Sequence, residues 1–216
     1  MDALREQGRA VAVPLPDMKD AVLIFQKNAK LGKVKTRLAA AIGDQEALDA
    51  YKLLVNYTHH IVSGVKAQKI LWFSDFIEED LSPYPHNYRF ELQSGSSLGD
   101  KMSNAFEKLF EEGFDRLLII GTDCAELTPE LINTAFEKLE ESDVVIGPAL
   151  DGGYYLLGMR KFIPGVFQGI PWSTDQVAKL TIDYLSLTGY SYSQLAPLSD
   201  VDVIEDWNQV KGKLNS

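Results

Sequence analysis

Lys30, Lys33, Lys35 and Arg37 fall within eight positions of a chain whose formal net charge is −10. Between Asp20 and Asp44 there are five basic residues, Lys27 included, and no acidic one. Charge of one sign gathered on a short segment calls for a partner of the other sign. The segment opens onto a helix near Thr36, where cations oppose the helix dipole. An anion bound there reverses the penalty, because main-chain N–H groups and cations then aim at it together. Arg37 adds a bidentate fork suited to phosphate oxygens. Lys33, Lys35 and Arg37 are therefore candidate phosphate ligands, against the plainer reading of a solvated loop. A Walker A loop is excluded, since Lys27 stands where its first glycine would be and Val34 follows Lys33 in place of Ser or Thr.

Carboxylates supply the other half of a possible site. Asp123 lies two residues beyond "DRLLIIG" (115–121), the most continuously apolar run in the chain. A carboxylate there, facing phosphates, suits Mg²⁺ or Mn²⁺; the alternative is a turn cap. "LSDVDVIEDW" has four carboxylates in seven residues, of which Asp202 could reach the same ion while Asp206 faces solvent on the last helix. In "GPALDGGYYLLG", Asp151 and Gly152 read as a hairpin turn. Gly152 and Gly153 also allow the main chain to approach a ligand, and the two readings are compatible. "LQSGSSLGDKM" places Gly95 and Gly99 ahead of a helix, a weak pattern by itself. Cys124 reads as a packed residue, and the histidines give no metal pattern.

Elements that alternate between strand and helix must position these residues. "AVLIFQ" (21–26), "KILWFS" (69–74), "YRFELQ" (88–93), "DRLLIIG", "DVVIGP", "YYLLGM" and "YSYSQL" read as strands. Helical spacing runs through 46–65 and 100–113, and Thr128-Pro129 opens a helix with a cap and a first-turn proline. Ser173 with Gln176 reads as a capping box for the next helix, and a last helix starts near Val203. This alternation implies a three-layer α/β/α fold with a mainly parallel central sheet. In such sheets ligands lie beyond the carboxyl ends of the strands.

The 216 residues, 45% hydrophobic and 24% charged, suffice for a single domain, expected over 20–216. Residues 1–19 read as a mobile N-terminal arm or an expression remnant, with no convincing signal-peptide cleavage site. The acidic pI near 4.8 argues against nucleic-acid and anionic-membrane partners. One cysteine suits a reducing, cytoplasmic setting, and no apolar run approaches the roughly 20 residues of a membrane span. Oligomeric state is not legible.

"GKVKTRLA", "GSSLGDKMSNAF", "IIGTDCAELTPELI", "GPALDGGYYLLG", "IPWSTDQV" and "LSDVDVIEDW", in this order, resemble the bacterial glycosyltransferase-like family of the selenodomain-associated transferase type. That family belongs to the nucleotide-diphospho-sugar transferase superfamily with the GT-A type fold, and the resemblance spans about Ala21 to Trp207. The chain is also distantly similar to the molybdenum-cofactor and phospholactate guanylyltransferases. The resemblance implies phosphate binding by Lys35 and Arg37, a metal on Asp123, an acceptor-side element at Asp151, Gly152 and Gly153, and an acidic element at Asp202. Leu31, Ser96, Ser97 and Ala125 depart from the family's usual proline or glycine at those places. The expected function is a metal-dependent glycosyltransferase on an NDP-sugar, with Asp151 orienting or deprotonating the acceptor. Nucleotidyl transfer from an NTP with release of pyrophosphate is the alternative, and a nucleotide-binding protein without turnover is a third reading.

Overall fold

The computed structural model describes residues 19–214, so the N-terminal arm expected over 1–19 lies, Lys19 apart, outside the described residues. Seven strands form one sheet: β1 (Asp20–Gln26), β2 (Gln68–Phe73), β3 (Arg89–Leu92), β4 (Arg116–Ile120), β5 (Val144–Pro148), β6 (Tyr154–Met159) and β7 (Tyr192–Gln194). Their order is β3-β2-β1-β4-β6-β5-β7. Only β6 runs against its neighbours β4 and β5, so the sheet is mainly parallel. The expected three-layer α/β/α architecture is the one observed.

The helices are α1 (Thr36–Ile42), α2 (Asp44–Ser63), α3 (Leu98–Glu111), α4 (Pro129–Glu141), α5 (Val177–Thr188) and α6 (Ile204–Leu214). Because side chains alternate across a strand, Ala21 and Leu23 of β1 pack with Phe106 of α3 and Leu185 of α5. Val22 and Ile24 face the opposite layer, with Val62 of α2 and Ile132 of α4. Burial on both faces explains why β1 and β4 read as unbroken apolar runs.

Strand direction decides what meets at the carboxyl edge. β1 and β4 are parallel with Ile24 opposite Ile120, so the segments that leave them emerge side by side. Antiparallel β6 returns the chain to β4, which places the β5–β6 turn at that same edge. β7 is parallel to β5, and the stretch after it also exits there. Four segments distant in sequence are thereby gathered along one edge.

Three local expectations are corrected. The helix expected over 46–65 spans Asp44–Ser63, and the helix expected near Thr36 ends at Ile42, the two being divided at Gly43 with φ +87°. The third helix starts at Leu98, not residue 100, because Ser97 and Asp100 form a reciprocal capping box. The box expected from Ser173 and Gln176 does not form: Ser173 has φ 65°, and α5 starts at Val177 without a side-chain cap. There the chain folds onto the β5–β6 turn, where the Ala178 N–H donates to the Gly152 carbonyl. Thr128 caps α4 as expected, accepting from the Leu131 N–H. Pro148 ends β5 at a register shift, as befits a residue with no N–H to give an interior strand.

Candidate functional site

After β1 the chain is fixed by Asn28, which is buried. Its Oδ1 accepts from the N–H groups of Asp75 and Phe76, and its Nδ2 donates to the Phe76 carbonyl and the Glu78 carboxylate. The loops after β1 and β2 are thereby braced together. Val34 then packs on Leu48, Tyr51 and Val55, holding the basic segment against α2. Lys35 follows in the left-handed backbone region (φ 48°, ψ 44°), an uncommon conformation for a residue with a Cβ.

Lys35 does not reach into solvent. Its side chain is 4% exposed and its ammonium lies 2.6 Å from Asp123 Oδ1. The same nitrogen donates to the Val201 carbonyl at 2.6 Å, while the Val201 N–H donates to the Asp123 carbonyl. Segments after β1, β4 and β7 therefore converge on one ammonium. Arg37, in the first turn of α1, behaves differently: its side chain is 76% exposed and pairs with Asp202 at 3.0 Å. Lys33 is exposed on the turn before, its N–H donating to the Lys30 carbonyl.

The glycines expected at a ligand turn out to face protein. A Cβ on Gly99 would lie 2.2 Å from Trp172 Nε1, so Gly99 makes room for that indole. A Cβ on Gly152, at φ +91°, would meet the Asp175 carbonyl oxygen at 2.2 Å. Asp151 caps the β5–β6 turn by accepting from the Gly153 N–H at 2.9 Å. The hairpin reading of this segment is correct. It leaves Asp151 exposed on the edge where the other acidic residues lie.

Asp200 is the residue that sequence reasoning passed over. Burial, then the nearby carboxylates of Asp123, Asp151 and Asp202, push its carboxyl up to about 7 against the opposing pull of Lys35. Four carboxylates thus face one buried ammonium and one exposed guanidinium. The signal available was the alternation in "SDVDV", which puts Asp200 and Asp202 on one side of an extended segment and buried Val201 on the other. Asp206 does not face solvent freely: its carboxylate accepts from the N–H groups of Asp202 and Val203.

Beside this cluster a cavity of about 270 Å³ opens between the ends of β1 and β4 and the start of α3. Phe25, Leu98, Met102 and Ile119 give it an apolar wall, and Asp123 and Asp200 an acidic side. Tyr154 also lines it, with a buried hydroxyl that finds no partner among the described residues; burial pushes its phenol up. Tyr51 donates to the Lys27 carbonyl at 2.8 Å and fixes the cavity's polar rim. An apolar wall beside buried and exposed charges suits a ligand with a flat apolar part and a charged part.

Asp123, Asp200 and Asp202 offer hard oxygen donors of the kind Mg²⁺ and Mn²⁺ accept, and such ions need only one or two protein carboxylates when phosphates supply the rest. The excess negative charge around Asp200 is an electrostatic fit for a divalent cation. As the side chains stand, Asp123 and Asp202 each hold a cationic side chain. Among the described residues no three His, Cys, Asp or Glu converge as a ready-made cage.

The fold is that of the nucleotide-diphospho-sugar transferases. A candidate nucleotide-diphospho-sugar transferase from Desulfovibrio desulfuricans G20 is 33% identical, with a TM-score of 0.83 over 92% of this chain and 88% of that one. CMP:2-keto-3-deoxy-manno-octonic acid synthetase complexed with CTP shares the fold at 11% identity and TM-score 0.58, over 91% and 98% of the two chains. Rv0371c of Mycobacterium tuberculosis H37Rv in complex with manganese does so at 11% and 0.52, over 89% and 98%. The chain belongs to the family described as "Uncharacterized protein conserved in bacteria (DUF2064)", whose profile matches residues 58–174. The basic segment lies ahead of that match. No curated protein matches the sequence.

Proposed function

We propose that this protein is a transferase acting on a nucleotide-activated substrate, with an NDP-sugar as the leading donor. The observation that carries the reading is the convergence of Lys35, Asp123 and Asp200 beside the apolar-walled cavity, with the exposed Arg37–Asp202 pair two residues along from Lys35 and from Asp200. In this reading the base lies against the apolar wall and the diphosphate lies toward α1. The acceptor oxygen bonds to the sugar carbon as the bond from that carbon to the diphosphate breaks. Arg37, exposed and weakly held, turns from Asp202 to the phosphate oxygens and stabilises the charge that gathers on the leaving group. Lys33 adds long-range positive potential at the entrance. Asp151, exposed on the turn, orients the acceptor and takes its proton. A Mg²⁺ or Mn²⁺ ion held by Asp123 and Asp202 would neutralise the diphosphate.

The 33% identical relative and the manganese complex of a protein with this fold support the reading. Nucleotidyl transfer is the second reading, favoured by the same fold in a synthetase that holds CTP; it would use the same residues and release pyrophosphate. A cytoplasmic location, in keeping with a lone buried cysteine, belongs to the same proposal; among the described residues no helix is long and apolar enough to cross a membrane. A thermal-shift panel of NTPs and of UDP-, GDP- and dTDP-sugars, each with and without Mn²⁺, tests the proposal. Stabilisation by an NDP-sugar above any NTP supports glycosyl transfer, and the reverse supports nucleotidyl transfer. No shift with any nucleotide would overturn both.

A further inference from the structure

We propose that Lys35 is the resident counter-ion of Asp123, and that a divalent cation gains this carboxylate only together with the phosphates of a nucleotide. The inference rests on the reading of Asp123 as a metal ligand and adds an order to it. Of the two cations that flank Thr36, only Lys35 is buried, with two of its three ammonium donors spent on Asp123 and on the Val201 carbonyl. Its left-handed backbone aims the side chain across the edge of the sheet toward the segment after β4, away from the solvent that Arg37 enters.

A divalent ion arriving alone would meet an ammonium already seated 2.6 Å from the oxygen it needs. Two cations cannot share that oxygen at short range without strong repulsion in a partly desolvated site. Asp200 lines the cavity next to Asp123 and interacts with the same ammonium, so an ion drawn to it meets the same positive charge. Phosphate oxygens change the balance, because the Lys35 ammonium then has an anion to move to and the ion has further oxygens to bind. Metal and nucleotide should therefore each tighten the other's binding by the same factor, since coupling between sites is reciprocal.

Mn²⁺ titration of the full chain, read by the electron paramagnetic resonance signal of free Mn²⁺ with no nucleotide present, is the test. Wild type should bind weakly. Lys35→Met, which frees a 42% exposed Asp123 that water can solvate, should bind Mn²⁺ about tenfold or more tightly. The double variant Lys35→Met/Asp123→Asn should return to weak binding. Should Lys35→Met fail to fold, water-proton relaxation enhancement on wild type reads the same coupling. Mn²⁺ with UDP or GDP should give a protein-bound signal that Mn²⁺ alone does not. Tight Mn²⁺ binding by nucleotide-free wild type that Asp123→Asn removes would overturn the proposal and leave the metal assignment standing. Absence of Mn²⁺ binding in every variant and with every nucleotide would overturn both.

Discussion

Two positions apart, Lys35 and Arg37 carry the same charge into opposite surroundings, one closed on Asp123 and one in solvent on Asp202. An exposed ion pair such as Arg37–Asp202 contributes about 0–1 kcal/mol to stability. Arg37→Ala should accordingly leave the melting temperature nearly unchanged, while calorimetry records nucleotide binding weaker by about 1.5–3 kcal/mol, the range for hydrogen bonds to charged groups. The sequence pointed to an anionic partner for the basic segment, against the plainer reading of a solvated loop. It did not show that for Lys35 the anion is Asp123, because the pairing joins residues brought together only by strand order. Away from the site, His59 is held neutral: its Nε2–H donates to Gln26 Oε1 and its Nδ1 accepts from the Tyr88 hydroxyl. Burial lowers its pKa from 6.5 to about 4. The unfolded chain therefore takes up a proton first as pH falls, so stability present above pH 6.5 is lost between pH 6.5 and 4. Urea melts should show wild type losing up to about 3 kcal/mol across that window beyond what His59→Gln loses. Parallel curves for the two would contradict the assignment.

Among the elements, the β5–β6 turn separates a glycine that the packing requires from one that it does not. Gly152 combines φ +91° with the main chain of Asp175 where its Cβ would be, whereas a Cβ on Gly153 meets only the Asp151 carboxylate at 3.2 Å. Overpacking costs about 1–3 kcal/mol, and left-handed strain adds roughly 1–2. Gly152→Ala should lower the melting temperature by several degrees, at roughly 2–4 °C per kcal/mol in a chain of this size. Gly153→Ala should melt near wild type and show its effect in turnover, through a displaced Asp151. Equal melting temperatures for the two variants would refute the distinction. The central strands β1 and β4 were legible because burial on both faces writes them as apolar runs, and α4 because Thr128-Pro129 is a local signal. The division at Gly43 and the start of α5 were not. The first is set by a glycine inside an otherwise helical pattern, and the second by contact between Asp175 and a turn more than twenty residues earlier.

For the whole molecule, the charge distribution ties fold to function. The chain carries −10 overall yet gathers cations on one segment and carboxylates on three others, and the mainly parallel sheet brings all four to one edge. Opposed charges there hold each other, and on the proposed function a phosphate ligand competes for the cations, so nucleotide affinity should fall as ionic strength rises. The fold class was readable from alternation alone. The balance of charge within the site was not, since it depends on Asp200 being buried among carboxylates contributed by other loops. Calorimetric titration of wild type and Asp123→Asn with the best-binding nucleotide, in Mn²⁺ and in EDTA, puts the central claim to the test. Asparagine keeps an oxygen for the Lys35 ammonium, so the variant should remain folded. Mn²⁺ should tighten binding to wild type and leave Asp123→Asn unchanged; equal affinities in Mn²⁺ and EDTA for the wild-type protein would contradict the account.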